Sequence, residues 1–351
     1  MPSRIVILLT PSTFSSEGPR NYITYLQQLL AEFKFDVIVV PIKRFPIMLF
    51  DVIKTVISYP RSAFVFPYVR FQELFTIFIV FPLALISRGK IVTVVHDVHG
   101  FYFGNKLLWH MLIKLRSGLL TSMPCFRHIY VSRYSKISSL LLFRKDSISR
   151  KSYVVYPFKN TGELTLYRSE KGSPRKQLLI FSKVSKMLDK EFWSILGKCL
   201  KEYVGDIDEV VVIGGGSNEE IEKVKKIIEE TWLEGERRKI VYRFNVSNQV
   251  RDMMLQLAYL VIYPPSLEGL GLPVFEAVSY TVPVLSARKS ALIEFVPRTL
   301  YSERTVKYPD FCYAIEKYIN NAGSYISHIK NLRNNLIKFT LKELLRFLKD
   351  N

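Results

Sequence analysis

Cysteine, histidine and acidic side chains are scarce in this sequence, and each scarcity removes a class of function. Three cysteines, Cys125, Cys199 and Cys312, are scattered through 351 residues without a Cys-x-x-Cys pair, and the five histidines form no cluster. Neither a zinc site nor a disulfide framework is expected from that spacing, which fits a reducing, cytoplasmic compartment. Long apolar runs are missing too. The run Ile5 to Leu9 is too short for a signal peptide and reads as a first strand. Residues 74–87 are the most membrane-like stretch, but Pro82 interrupts them. They fall short of the roughly 20 residues that span a bilayer, so a buried helix is expected.

Basic charge, by contrast, is abundant. The chain has 50 Lys and Arg against 31 Asp and Glu, a net charge of +19. Through Pro157 there are 20 basic against 7 acidic residues, a balance of +13, and the remainder carries 30 against 24, a balance of +6. A basic first half suits an anionic lipid surface or an anionic acceptor. No nucleic-acid-binding motif accompanies it, so no nucleic-acid partner is expected. A merely solvating surface is the plain alternative.

At 48% hydrophobic residues the chain has material for two sizeable cores. Strand-like runs over 4–9, 35–40, 63–67, 90–95 and 128–131 alternate with helical patterns over 21–33 and 106–120. A polar stretch over 160–177 follows, and then a second alternating series over 178–182, 191–203, 209–213, 218–230 and 239–243. Alternation of this kind predicts parallel sheets covered by helices. Expected domains are 1–158, 159–325 and a terminal helical segment, 326–351, with Ile337, Leu341, Leu344, Leu345 and Leu348 at helical spacing.

Chemistry concentrates in Ser266-Leu267-Glu268-Gly269-Leu270-Gly271-Leu272-Pro273-Val274-Phe275-Glu276-Ala277. An apolar strand over 259–263, closed by Pro264-Pro265, precedes it, and Pro273 suits the first turn of a helix. The unit therefore reads as strand, glycine loop and helix, with Glu268 in the loop and Glu276 in the first helical turn. Amides at a helix start bind phosphate or sugar oxygens, and glycine lets a ligand approach the backbone. A carboxylate there can accept both hydrogens of a vicinal diol, as in dinucleotide folds. The plain alternative is a helix-dipole acid and a solvated loop acid. A hydrolase pair is also conceivable, because glycosidases flank the scissile bond with two carboxylates.

This segment resembles the Glu-x7-Glu signature of retaining glycosyltransferases of family 4, which have the GT-B fold of two Rossmann-like parallel-sheet domains facing a cleft. It departs from the usual pattern by one residue fewer between Ser266 and Glu268, by Leu270 in place of an aromatic residue, and by Thr281 where a helix-ending glycine is common. The resemblance implies a nucleoside-diphosphate sugar as donor, with Glu276 on the ribose and Glu268, Gly269, Leu270, Gly271 and Leu272 on the sugar. It also implies a terminal helix, 326–351, that crosses back onto the first domain, with a membrane-surface role as the alternative, and two cations on the diphosphate. Lys183 fills the first position, with Lys where Arg is usual, and Lys190 best matches the second, with Lys186 competing. His96, directly after the strand over 90–95, corresponds to a histidine near the reacting carbon, and Gly18, after Ser15 and Ser16, to a phosphate-side glycine loop. Asp97 is ambiguous, His99 reads as a loop residue, and Ser15 or Ser16 could equally cap a helix.

Gly214, Gly215 and Gly216 fail the dinucleotide spacing, since Glu219 stands where the last glycine belongs. They read as a turn bordering the nucleotide, with residues 244–246 as a wall for the base. The expected activity is metal-independent, retaining hexosyl transfer to a glycan or lipid-linked acceptor, with no cofactor beyond the donor, on the cytoplasmic membrane face. The alternatives are a GT-B epimerase or phosphorylase, or a degenerate basic binding protein.

Overall fold

The computed structural model describes residues 4–9, 17–41, 48–66, 71–96, 125–143, 151–156, 158, 176–203, 207–232, 240–264 and 268–349. The expected helix over 106–120, Ser15, Ser16, Asp97, His99 and residues 265–267 lie outside these. Two compact units divide the chain: Met1–Asn160 together with Leu336–Asn351, and Thr161–Asn335.

The first unit is a six-stranded parallel sheet, ordered β2-β1-β3-β4-β5-β6. Its strands are β1 (Arg4–Leu9), β2 (Asp36–Pro41), β3 (Ala63–Phe66), β4 (Lys90–Val95), β5 (Phe126–Tyr130) and β6 (Ser152–Val154). Helix α1 (Glu17–Glu32) joins β1 to β2, α2 (Met48–Ser58) joins β2 to β3, α3 (Phe71–Ile86) joins β3 to β4, and α4 (Arg133–Phe143) follows β5. Apolar strands buried on both faces are what a helix-covered parallel sheet requires. Val52 and Val56 of α2 and Ile77, Val80 and Ala84 of α3 pack on Phe64 and Phe66 in one core. The membrane-like stretch is thus α3, anchored by its inner face, yet Leu85 and Ile86 at its end are exposed rather than buried.

A five-stranded parallel sheet, ordered β11-β10-β7-β8-β9, forms the second unit. It comprises β7 (Gln177–Phe181), β8 (Glu209–Gly214), β9 (Ile240–Phe244), β10 (Leu260–Ile262) and β11 (Val284–Leu285). Its helices are α5 (Lys190–Tyr203), α6 (Asn218–Thr231), α7 (Asn248–Leu257), α8 (Leu272–Ser279) and α9 (Asp310–Asn320). Trp193 of α5 and Trp232 after α6 lie edge to face at 6.0 Å, and the Trp232 indole donates to the Trp193 carbonyl at 2.8 Å.

Cys199 and Cys312 form a disulfide between α5 and α9, which corrects the expectation of none. The two are 113 residues apart in sequence and meet only because the helices pack together. The inference of a reducing compartment from cysteine usage loses its premise accordingly.

The last helix, α10 (Ala322–Lys349), is longer than its periodic segment suggested and belongs from Leu336 onward to the first unit. Among the described residues no helix is long and apolar enough to cross a membrane.

Candidate active site

In the second sheet the chain runs outward from β7 through β8 to β9, then returns to place β10 on the other side of β7. The carboxyl ends of β7 and β10 therefore flank the point where strand order reverses, the place where open α/β sheets bind ligands. Every close contact of the candidate site comes from the loops leaving these two strands or from elements that brace them.

After β7 come Ser182 and Lys183, then a single 3-10 turn, Val184–Lys186. Lys183 is extended, with φ −63° and ψ 141°, and its side chain is exposed. The triple glycine shapes this loop from below. A Cβ on Gly214 would meet the Ser182 carbonyl at 2.2 Å, and one on Gly216 would meet Val184 Cβ at 2.7 Å. Only glycine lets the end of β8 press so closely on the lysine loop, so the run is a packing turn rather than a dinucleotide fingerprint. Asn245, at φ 53°, locks it: its side-chain amide donates to the Gly216 carbonyl and its Oδ1 accepts from the Gly216 N–H, both at 3.0 Å. Asparagine is among the few side-chain-bearing residues that tolerate that left-handed geometry.

The loop after β10 carries Tyr263 and Glu268. The Tyr263 hydroxyl donates to Glu268 Oε1 at 2.6 Å, and the Lys186 ammonium pairs with the same oxygen. A carboxylate, a phenol and a lysine thus converge across the reversal point. Glu268 is fixed at its backbone as well. Its N–H donates to Ser290 Oγ at 2.8 Å, and its carbonyl accepts from Ala291 N–H at 3.3 Å.

Gly271 caps α8 in the left-handed region at φ 74°, where a Cβ would lie 2.8 Å from Leu292 Cδ2. Gly269 and Leu270 are buried, and Leu272 and Pro273 open the helix. Glu276 falls in the second turn, at the fifth helical position, rather than in the first as expected. Only 2% of it is exposed, and its Oε1 lies 3.2 Å from Arg251 Nη2, contributed by α7.

Lys183, Lys186, Glu268, Gly269, Leu270, Gly271 and Leu272 therefore share one pair of facing loops. Lys190 does not. It opens α5, is exposed, and reaches Glu230 at 2.7 Å on the neighbouring α6. Sequence spacing could not separate it from Lys186 because neither the 3-10 turn that ends at Lys186 nor the three residues after it have an apolar period of their own. Tyr263 passed as the end of an apolar strand. Arg251 could have been noticed, standing one helical turn before buried Leu255 on the same face.

His96 follows β4 at the carboxyl edge of the first sheet, half-buried, with its ring edge-on to Tyr22 at 4.9 Å. Tyr22 donates to the Val155 carbonyl at 3.0 Å, and burial drives its phenol far above the ordinary tyrosine range. Gly18 is the second residue of α1, which starts four residues earlier than the periodicity indicated, so it lies in the helix's first turn rather than in a loop. Phe244, expected to border a base, ends β9 and stacks on Tyr242 at 5.8 Å.

The triplet Asp206-Ile207-Asp208 has the spacing of a metal motif, but Asp208 stands at the amino end of β8 and accepts the Lys176 N–H at 2.6 Å. Among the described residues no group of three or more His, Cys, Asp or Glu is placed to hold a metal ion.

Residues 169–337 match the family described as "Family 4 Glycosyltransferase in conflict systems". No curated protein matches the sequence. Among solved structures, HepE of Anabaena, crystallised with UDP, is similar at 13% identity and a TM-score of 0.68, covering 99% of this chain and 100% of its own. A sucrose-phosphate synthase of Thermosynechococcus elongatus is similar at 13% identity and a TM-score of 0.62, over 99% of each chain. A glycosyltransferase of Rickettsia africae reaches a TM-score of 0.62 at 14% identity, over 99% of this chain and 98% of its own. At such identities the structural likeness speaks for the fold.

Proposed function

We propose that this chain, whose residues 169–337 match a family 4 glycosyltransferase and whose fold is that of GT-B structures, is a retaining, metal-independent hexosyltransferase acting on a glycan or lipid-linked acceptor. The observation that carries the reading is the convergence of Glu268, Tyr263 and Lys186 across the strand-order reversal, with Lys183 on the same loop as Lys186. Sugar transfer breaks the bond between the anomeric carbon and the diphosphate, whose oxygen departs with the electron pair. Cations fixed in advance at that oxygen stabilise the growing charge without reorganising. In this reading Lys183 and Lys186 perform that task, and no metal is needed.

Glu268 would hold the sugar hydroxyls and Glu276 the ribose diol. Arg251, paired with Glu276, would hold that carboxylate in place. Retention follows if the acceptor hydroxyl attacks from the face the diphosphate leaves and passes its proton to the departing oxygen. By the family resemblance, His96 would act near the reacting carbon of the sugar. HepE has been crystallised with UDP-glucose, so UDP-hexoses are the first donors to test. An anionic membrane face is the proposed place of action, where a lipid-linked acceptor would be within reach.

The test is a thermal-shift panel of nucleotide-sugars with EDTA present. A donor at 100 times its Kd should stabilise the protein by about 2.7 kcal/mol, and Glu276→Gln should lose most of that shift. If no nucleotide-sugar raises Tm, or Glu276→Gln responds as the native chain does, the assignment is wrong. Conversion of the donor alone, without acceptor, would indicate an epimerase instead.

A further inference from the structure

The helix-to-strand turns of the first unit share an unexpected residue choice. Lys34 after α1, Arg61 after α2 and Arg88 after α3 all lie in the left-handed region, at φ 58°, 58° and 56°. Each follows a helix end and precedes β2, β3 or β4. That position normally takes glycine or asparagine, because a Cβ strains the left-handed conformation. One cation there can be explained by the negative end of the helix dipole. Three in succession, all at the amino edge of one sheet, place the charge where the backbone least favours a long side chain.

Apolar side chains stand exposed among them. Ile86 is 82% exposed beside Arg88, Ile57 is 68% exposed one turn before Arg61, and Phe33 precedes Lys34 at 41%. Phe50, at 74%, shares the outward stripe of α2 with Lys54 and Ile57, at positions i, i+4 and i+7. The Arg61 and Arg88 turns adjoin each other, with Arg61 N–H donating to the Ser87 carbonyl and Lys90 N–H to the Ser62 carbonyl, both at 3.0 Å, and the Lys34 turn lies beyond β1 on the same edge of the sheet. Helices α2 and α3 pack side by side, and no exposed side chain described on them is acidic. Singly exposed apolar residues are ordinary, whereas large ones interleaved with cations along one rim mark an interaction surface.

We propose that this rim, with Phe33, Ile57 and Ile86 as apolar tips and Lys34, Arg61 and Arg88 as cations, docks the protein on an anionic lipid bilayer. A bilayer interface takes apolar side chains to headgroup depth while lysine and arginine remain with the lipid phosphates. An acidic protein groove would satisfy the cations but not three exposed apolar tips spaced along one sheet edge. The balance of +13 in the first half supplies long-range attraction of the same sign. The rim lies at the amino ends of the strands, away from His96 at their carboxyl edge, so docking leaves that edge open. The inference gives the proposed membrane association a specific surface and does not depend on the donor assignment.

Two variants of the full-length chain test it by co-sedimentation with vesicles of phosphatidylcholine, alone or mixed with phosphatidylglycerol. The first is Ile57→Ser with Ile86→Ser. The second is Lys34→Asn with Arg61→Asn and Arg88→Asn, which suits the left-handed turns and should leave the fold at least as stable. The native protein should pellet with the mixed vesicles and not with phosphatidylcholine alone, less so as salt rises. Each variant should bind at least about tenfold more weakly, with unchanged Tm and unchanged stabilisation by the donor. A native protein that stays in the supernatant with both vesicles overturns the proposal, and so does a serine or asparagine variant that pellets like the native chain. Donor stabilisation measured in the same samples reports separately on the sugar-transfer reading.

Discussion

Tyr263 has the geometry of a positioning residue. Its hydroxyl reaches Glu268 Oε1 at 2.6 Å from the end of β10, and its ring is 1% exposed, so the donor is held by packing rather than by a mobile stem. Lys186 touches the same oxygen but is the member a departing diphosphate would draw away. Tyr263 would then be the contact that keeps the Glu268 carboxylate aimed at the sugar once Lys186 turns to phosphate. Tyr263→Phe preserves the buried ring and removes only the hydroxyl. A hydrogen bond to a charged group contributes about 1.5–3 kcal/mol, so kcat/KM for the donor should fall roughly 10- to 150-fold. Tm should be nearly unchanged, and donor kinetics alongside a melting curve check both. An equal fall in stability and activity would mean the tyrosine is merely structural. Nothing in residue spacing pointed to this phenol, because an apolar strand ending in tyrosine looks the same whether its hydroxyl meets water or a carboxylate. Arg251 carried one local signal, its place a helical turn before Leu255 on the same face, but nothing in spacing paired it with Glu276.

At the scale of the element, the strand–loop–helix unit around Glu268 was legible because its parts carry strong local signals. Pro264 ends a strand, Gly271 supplies a left-handed cap, and Pro273 belongs in a first helical turn. What could not be read was the register of that helix against its surroundings. One turn of difference puts Glu276 deep in the core beside Arg251 instead of among the free amides. Gly271 meets two demands at once, a φ of 74° and a close approach to Leu292. Gly271→Ala incurs about 1–2 kcal/mol for the conformation and an overlap that either Leu292 or the loop must relieve. Displacement of the loop would carry Glu268 with it, since Glu268 is bonded through Ser290 to the same 3-10 segment, Ser290–Glu294. The expected outcome is a lower Tm together with loss of donor stabilisation, read from one thermal-shift series with and without UDP-glucose. Gly215→Ala is the control, because its nearest neighbour would be Asn245 at an ordinary 3.8 Å, and it should leave donor stabilisation intact.

For the molecule as a whole, the two parallel sheets follow from alternating apolar strands and helical patterns, and this alternation is why the fold class was visible from sequence. Long-range closures depend on which surfaces meet. The disulfide between Cys199 and Cys312 could not be read from spacing, whereas the return of the terminal helix, the end of α10, was implied by the family resemblance but without its contacts. That helix seals β6, the last strand of the first sheet. Glu343 Oε2 accepts the Val154 N–H at 3.0 Å, Thr340 Oγ1 accepts the Tyr156 N–H at 3.2 Å, and Phe347 meets Tyr153 edge to face at 5.2 Å. An outer strand otherwise presents unpaired amides that invite pairing with another chain, and here a carboxylate and a hydroxyl from the chain's end replace the missing neighbour. Glu343 also pairs with Arg346 at 3.2 Å, but Arg346 keeps the Ser152 carbonyl as an acceptor, so the donor that Glu343→Ala strands is the Val154 N–H. Leaving a buried amide unsatisfied costs about 1–3 kcal/mol, concentrated at β6 rather than spread over the chain. Amide hydrogen exchange should therefore quicken at Val154 and its neighbours in Glu343→Ala while the strands of the second sheet keep native protection. Unchanged exchange at Val154 would mean that α10 rests on the sheet without closing its edge.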